Sequence, residues 1–367
     1  MTPIEAAPRL ALDVSPLLEN QWTGIPVFTR RLVQALERTG RVRLDYCVRL
    51  QCIPPAAVHQ AIRLGTGTFL RDLHERGLFE AETAPIDPAV PLLYTSVKQA
   101  FGAARREAST IHDISTLVMP ETHAAANVDY HLGPLREQLS SDEAVFCCSE
   151  ATRAALVANF PWVGPKTRLI HQHVDWPAEF ELYDRNLPPV ALGRYAVVVG
   201  TIEPRKNLGL LLRALEHRGV ARAGIHFVVI GRRGWHADQA LARLTPEAQQ
   251  RVTFTGFVSE FVKYRLLKGA EFLVFPSVYE GFGIPAVEAM SLGKPVLAAM
   301  TSAFPDVIGE AGVYFDPFSV EEFAAGLTEI AAPSRLAELA PTALVQAATF
   351  TPQRMAAPVL KWLGAPA

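Results

Sequence analysis

Two short stretches of the chain combine charge and glycine in a way that chemistry can use. The first reads Phe275-Pro-Ser-Val-Tyr-Glu-Gly-Phe-Gly-Ile-Pro-Ala-Val-Glu288. It implies a buried strand ending at Phe275, a loop with Glu280, Gly281 and Gly283, and a helix beginning near Pro285. Proline suits a first helical turn because its missing N–H would be unpaired there anyway. Glycines ahead of a helix let backbone amides approach an anion, and the helix dipole favours negative charge at that end. Glu280 at the strand's carboxyl end and Glu288 inside the helix would repel a phosphate unless they bind hydroxyls. Ribose and hexose hydroxyls are their natural partners. A glycine-rich turn with an acidic cap is the plainer alternative. The second stretch, Val197-Val-Val-Gly-Thr-Ile-Glu-Pro-Arg-Lys-Asn207, sets Arg205 and Lys206 ahead of another helix. Cations there oppose the dipole unless an anion lies between, although a solvated Arg-Lys pair would also explain them.

The surrounding pattern supplies elements to hold these residues. In the C-terminal half, apolar strands are expected at 195–199, 226–230, 252–254, 272–275 and 295–299, with helices at 208–215 and 286–292. Uninterrupted apolar strands suit a parallel sheet covered on both faces. The N-terminal half repeats the rhythm more weakly. A strand at 10–14 precedes a Thr23-Gly24-Ile25-Pro26 turn and a helix at 27–38 with Phe28, Leu32, Ala35 and Leu36 on one face. Further strands are expected at 42–50, 92–95, 109–111 and 144–148, the last followed by Ser149 as an N-cap. The Pro-, Asp- and Glu-rich stretch 176–193 reads as a linker. The expected fold is α/β, with two doubly wound Rossmann-like domains, 1–187 and 188–349, facing a central cleft. Ligands of such sheets sit outside the carboxyl ends of the strands.

Composition agrees and excludes several classes. The 367 residues are 49% hydrophobic and 20% charged, enough apolar material for two cores and unlike a disordered chain. A net charge of −2 gives no reason to expect a nucleic-acid partner. The four cysteines show neither a CxxC pair nor a spaced Cys/His set, so no zinc site and no disulfide framework is expected. The ten histidines lack zinc-protease spacing, and no Asp-x-Asp occurs; no metal and no cofactor is expected. The first ten residues do not resemble a signal peptide, and no apolar run approaches the roughly 18 residues a membrane span needs. A cytoplasmic protein, or a peripheral one on the inner membrane face, is the expectation. Arg30, Arg31, Arg38, Arg41 and Arg43 lie along an amphipathic stretch suited to an anionic membrane, or to a solvated helix face.

The combination Gly200-Thr-Ile-Glu-Pro-Arg-Lys-Asn207, Thr255-Gly-Phe-Val258 and Pro276-Ser-Val-Tyr-Glu-Gly-Phe-Gly-Ile-Pro285 through Glu288-Ala-Met290 resembles the donor half of the retaining GT-B glycosyltransferases. That large bacterial family includes mannosyltransferases and glucosyltransferases of cell-surface polysaccharide synthesis. The resemblance is specific over about residues 195–320. It is thinner in the N-terminal half, through Thr23-Gly24-Ile25, His112-Asp-Ile-Ser115 and Ser149-Glu150.

The resemblance implies roles. Glu280 would bind hydroxyls of the donor sugar, and Glu288 the ribose. Arg205 and Lys206 would neutralise the diphosphate. Backbone amides of Phe282, Gly283 and Ile284 would touch sugar and phosphate, and the turn Gly256, Phe257, Val258 would hold the base. Gly24 would let the first loop approach the diphosphate, His112 would sit over the sugar ring, and the tail 350–364 would return as a helix to the N-terminal domain. The chain departs from the pattern at Thr201, where many relatives carry Arg, and at Pro26, where they carry a small residue. Apart from the resemblance, Arg232 follows another strand and is a candidate for a base or phosphate contact, or else lies in a solvated loop. The implied donor is GDP-mannose, with a UDP-sugar as runner-up, and the reaction is metal-free, Arg205 and Lys206 standing in for the ion. The implied acceptor is a saccharide, carried on polyprenyl diphosphate, met near Arg30, Arg31, Arg105 and Arg106. A non-catalytic nucleotide-sugar-binding subunit and a 2-epimerase on the same fold are the rivals.

Overall fold

The structure, a computed structural model, describes residues 7–77, 84–98, 100–200, 203–231 and 244–365. Thr201 and Arg232 lie outside the described residues. The chain forms two compact units: residues up to His173 together with those from Thr351 onward, and Val174–Phe350.

Among the described residues, the first unit carries strands β1 (Arg9–Asp13), β2 (Arg43–Val48), β3 (Gln51–Cys52), β4 (Leu92–Tyr94), β5 (Glu107–Ile111), β6 (Ala144–Cys147) and β7 (Thr167–Leu169). Their order in the sheet is β3-β2-β1-β4-β5-β6-β7, parallel throughout except for the β2–β3 hairpin. The helix Gly24–Thr39 buries Phe28, Leu32, Val33, Ala35 and Leu36. The helix Pro352–Leu363 packs against it and buries Met355, Ala356, Val359, Leu360 and Leu363. Arg106 secures the end of this helix: its guanidinium donates to the Trp362 carbonyl at 2.7 Å and stacks over the indole at 5.3 Å.

The second unit carries β8 (Tyr195–Val199), β9 (His226–Ile230), β10 (Val252–Gly256), β11 (Phe272–Phe275), β12 (Val296–Ala299) and β13 (Gly312–Phe315), in the order β10-β9-β8-β11-β12-β13 and all parallel. This is the doubly wound order in which the first strand lies inside the sheet, and a crevice opens where the strand order reverses, here between β8 and β11. The four residues of β11 are at most 2% exposed, and each such side chain contributes about 1.5–3 kcal/mol by burial.

Local readings of the sequence change in two places. The expected turn over 23–26 is already helix, beginning at Gly24 after an extended Thr23. Pro26 falls in the first turn, where its missing N–H leaves no bond unmade. The expected linker 176–193 contains a helix, Ala178–Arg185, packed on the helix Glu260–Gly269. Lys268 donates to Glu181 at 2.7 Å and to Asp184 at 2.8 Å, Arg265 donates to Asp184 at 2.7 Å, and the rings of Phe180 and Phe261 lie 5.2 Å apart. These contacts tie the segment to the second unit, so the division falls after His173 and not near 188.

Candidate active site

The two charged stretches meet at the switch point of the second unit. β8 delivers Gly200 and a single 3-10 turn, Pro204–Lys206; β11 delivers the loop through Glu280. Asn207 joins them. It adopts φ 52°, and its amide donates to the carbonyls of Pro276 at 3.1 Å and Pro317 at 2.7 Å. The Val278 N–H donates to the Arg205 carbonyl at 2.9 Å. The loops are therefore laced by main chain before any charge is counted.

Glu280, 7% exposed, receives both cations. Lys206 Nζ donates to Oε1 at 2.5 Å and Arg205 Nη1 reaches Oε2 at 3.4 Å. Arg205 is itself held by the Tyr279 carbonyl at 2.8 Å and by Glu203 at 2.7 Å. The Glu280 N–H donates to the Ser302 hydroxyl at 2.8 Å, with Ser302 in a left-handed conformation at φ 45°. Burial raises the pKa of the Glu280 carboxyl, and the charges of Lys206 and then Arg205 outweigh it, so the net displacement is downward. The group is a fixed, ionised acceptor with lone pairs left for hydroxyl donors. Beside it, Val199, Gly200, Lys206, Phe275 and Ser277 line a small concavity, partly open to solvent.

Gly283 has φ 91°, and a Cβ there would stand 3.1 Å from Phe304 and 3.4 Å from Phe275, so only glycine fits. Ile284 opens the helix Ile284–Met290 with Pro285 beside it. Phe282 is buried edge-on against Phe350, with ring centres 5.5 Å apart. Glu288 is 1% exposed and accepts from Lys263 Nζ at 2.8 Å. Lys263 also lies 5.5 Å over the Trp176 ring, whose indole donates to Ser291 at 3.0 Å. Gly256 ends β10 at φ 72°, its carbonyl accepting from the Gly231 N–H at 3.0 Å, and Phe257 beyond it is 44% exposed. Val258 follows, half-buried.

His112 follows β5 in the first unit. Its Nε2–H donates to the Thr95 carbonyl at 2.8 Å, and its Nδ1 faces Cys148 Sγ at 3.4 Å. Burial pushes the Cys148 thiol well up, so the thiol keeps its proton and donates to Nδ1. Burial lowers the His112 pKa against the raising effects of the Thr95 carbonyl and Asp113; the ring is neutral at pH 7. With both nitrogens engaged, the side chain offers its ring and not a proton. Phe28 abuts it edge-on at 4.7 Å. Gly24 begins its helix at φ 40°, and a Cβ there would meet nothing within 4 Å.

The arginines expected along a membrane face, and those expected near the acceptor, differ in exposure. Arg31 is 1% exposed, because its position falls on the helix face turned to the core. Arg106 is committed to Glu143 and Trp362. Arg38, Arg41, Arg43 and Arg105 are exposed and Arg30 half-buried. Among the described residues, no helix is long and apolar enough to cross a membrane. Sequence reasoning missed Lys263, Trp176 and Ser302. Nothing local marks a lysine in an exposed-looking helix as the partner of a glutamate two elements later.

Residues 193–332 match the family model described as glycosyl transferases group 1. The chain is 32% identical over 235 residues to the O-antigen chain mannosyltransferase B of Escherichia coli, covering 61% of each protein. It is 24% identical over 350 residues to the serotype-specific mannosyltransferase WbdA of Escherichia coli, covering 88% of this chain and 41% of that one. The chain thus spans less than two thirds of the length of either relative. Among solved structures, it is similar to sucrose-phosphate synthase from Thermosynechococcus elongatus, with a TM-score of 0.67 at 18% identity over 97% of this chain and 98% of that one. Residues 193–332 are thus similar to the glycosyl transferases group 1, in a chain with the GT-B fold.

Proposed function

We propose that the chain is a retaining, metal-independent glycosyltransferase that moves mannose from GDP-mannose to a saccharide acceptor in cell-surface polysaccharide synthesis. The observation that carries this reading is Glu280 held by Lys206 and Arg205 at the β8/β11 switch point. A carboxylate with two cations at its back suits a ligand that presents sugar hydroxyls and a diphosphate together. The cations would stabilise the charge that develops as the diphosphate leaves, an electrostatic effect of about 3–4 kcal/mol per well-placed donor. Glu280 would fix the sugar through its hydroxyls, and Glu288, backed by Lys263, would take the ribose. Phe282, Gly283 and Ile284 would contribute main-chain amides, and Gly256, Phe257 and Val258 the base contacts. From the first unit, Gly24 would leave room for the diphosphate and His112 would present its neutral ring to the sugar. In the transfer, the anomeric C–O bond to phosphate breaks as the acceptor oxygen bonds to the same carbon from the same face. The acceptor proton passes to a diphosphate oxygen.

Mannose is favoured because the relatives that align with this chain include two described as mannosyltransferases. A polyprenyl-diphosphate-linked acceptor on the cytoplasmic membrane face completes the reading. The test is product analysis with labelled GDP-mannose and a lipid-linked saccharide, with and without chelator, alongside thermal shift by GDP and UDP. A ligand at 100 times its dissociation constant adds about 2.7 kcal/mol of stability. A new α-mannosidic bond formed in chelator, with the larger shift from GDP, is the expected result. Larger stabilisation by UDP would replace the donor, an epimerised donor would replace the reaction, and tight binding without turnover would mean a non-catalytic subunit.

A further inference from the structure

β2 and β3 are the antiparallel pair among the described strands, joined by Arg49 and Leu50 at φ 47° and 67°. Two successive positive φ values mark a type I′ turn, a conformation that neither Arg nor Leu favours. Surrounding bonds hold it: the Arg49 N–H donates to Ser15 Oγ at 3.2 Å, and the Ile86 N–H donates to the Leu50 carbonyl at 3.1 Å.

The register this turn imposes sets Cys47 directly opposite Cys52. Both residues turn their main-chain bonds outward. The Val14 N–H donates to the Cys47 carbonyl at 2.8 Å, and the Cys52 N–H donates to the Ala84 carbonyl at 2.9 Å. The next pair down the hairpin is bridged across, Ile53 N–H to Tyr46 carbonyl at 2.8 Å. Cys47 and Cys52 are therefore a non-hydrogen-bonded pair, with Cα atoms about 4.5 Å apart, within the span of a disulfide. Directly opposed residues share one face of the sheet, and both thiols pack in one apolar cluster with Ala11, Leu92 and Tyr94.

We propose that Cys47 and Cys52 are a thiol pair that closes to a cross-strand disulfide by exchange with a low-molecular-weight disulfide. Cys52 is half-buried and Cys47 fully buried, so Cys52 reacts first. Its thiolate attacks one sulfur of R–S–S–R and expels RS⁻, leaving a mixed disulfide. Cys47 then loses its proton to solvent, attacks the Cys52 sulfur and expels the second RS⁻. Two protein thiols and R–S–S–R become one protein disulfide and two RSH. Burial raises the pKa of both thiols. Exchange is therefore slow at neutral pH and accelerates about tenfold per pH unit while the thiols remain mostly protonated. The pair thus records sustained oxidation and not a brief pulse. The inference does not depend on the proposed transferase reaction.

The test incubates the folded full chain with oxidised glutathione at pH 7 to 9, unfolds it, alkylates it and measures intact mass. The expected product has lost two hydrogen atoms, keeps two alkylatable cysteines of the four and yields a cross-linked peptide joining 47 to 52. Cys52→Ser, at the less buried position, should leave all three remaining thiols free. Four alkylatable thiols after prolonged incubation, a persistent glutathione adduct on Cys52, or a link involving Cys147 or Cys148 would each overturn the proposal.

Discussion

Lys206 Nζ stands 2.5 Å from Glu280 Oε1 across the β8/β11 switch point, the two residues 74 positions apart in the chain. In the proposed reaction this pair would bring the cation for a leaving diphosphate and the acceptor for a sugar hydroxyl into a single contact. Lys206→Met is expected to lower kcat/KM with nucleotide sugar by about 10²–10³-fold, the usual loss when one developing-charge donor is removed. The pH profile should move with it. The Glu280 pKa is depressed, so the carboxylate and the stability of its ion pair are intact above the ordinary carboxylate pKa and fail only as pH falls through the depressed value. In Lys206→Met the upward push of burial loses its main opponent, and the acid limb of the rate profile should shift to higher pH. An unmoved limb would separate Lys206 from Glu280 function.

Lys263 and Glu288 form a different kind of pair, with the carboxylate 1% exposed and the ammonium 20% exposed. Lys263→Met leaves a charge buried without its partner. Breaking a buried pair costs about 3–5 kcal/mol, and the partial exposure of Lys263 brings the expectation to about 2–3 kcal/mol. Lys263→Met with Glu288→Gln should recover much of that stability in urea unfolding while donor affinity stays low. Recovery of both would argue that Glu288 has no part in binding.

Gly283→Ala combines a left-handed backbone at φ 91° with a 3.1 Å approach to Phe304. The strain alone costs about 1–3 kcal/mol. Because Phe304 and Phe275 must move, the loop carrying Glu280 should move with them, and KM for the donor should rise more than stability falls. The check is thermal denaturation beside steady-state kinetics; unaltered KM would mean that the loop's shape is irrelevant to the donor.

These residues mark the limit of what was legible in the sequence. The strand, glycine and proline signals around Glu280 are local, so the loop and the following helix could be read to within a residue or two. Asn207, whose amide spans carbonyls 69 and 110 positions away, carries no local signal of that bridge. Residues 178–185 read as linker because they lie in a stretch rich in Pro, Asp, Glu and Asn with weak periodicity. Their order comes from Lys268 and Arg265 on a helix that sequence alone does not place beside them. Arg31 was misread for a related reason: an amphipathic helix predicts an average face, while its neighbours decide which arginine is covered.

Asp13 ends β1 with its carboxyl pKa raised to about 6 by burial, against the hydrogen bonds from Ser15. A folded-state pKa above the unfolded value of about 4 means that the folded chain binds this proton more tightly. That stabilisation is complete below about pH 4 and is lost as pH rises through 6, a change of about 2–3 kcal/mol. Asp13→Asn can still accept from Ser15, and it should flatten this dependence and make the protein more stable than wild type at pH 7–8. Chemical denaturation across pH 4–8 measures it; parallel curves for the two proteins would remove Asp13 as the cause.

The helix Pro352–Leu363, seated against Gly24–Thr39, covers part of the first unit with residues made after the whole of the second unit. During synthesis the second unit, continuous from Val174 to Phe350, can finish folding while the first still waits for the helix that packs on Gly24–Thr39. The order of completion thus reverses the order of translation. A ribosome stalled before residue 351 would hold a finished second unit and a first unit still short of its closing helix.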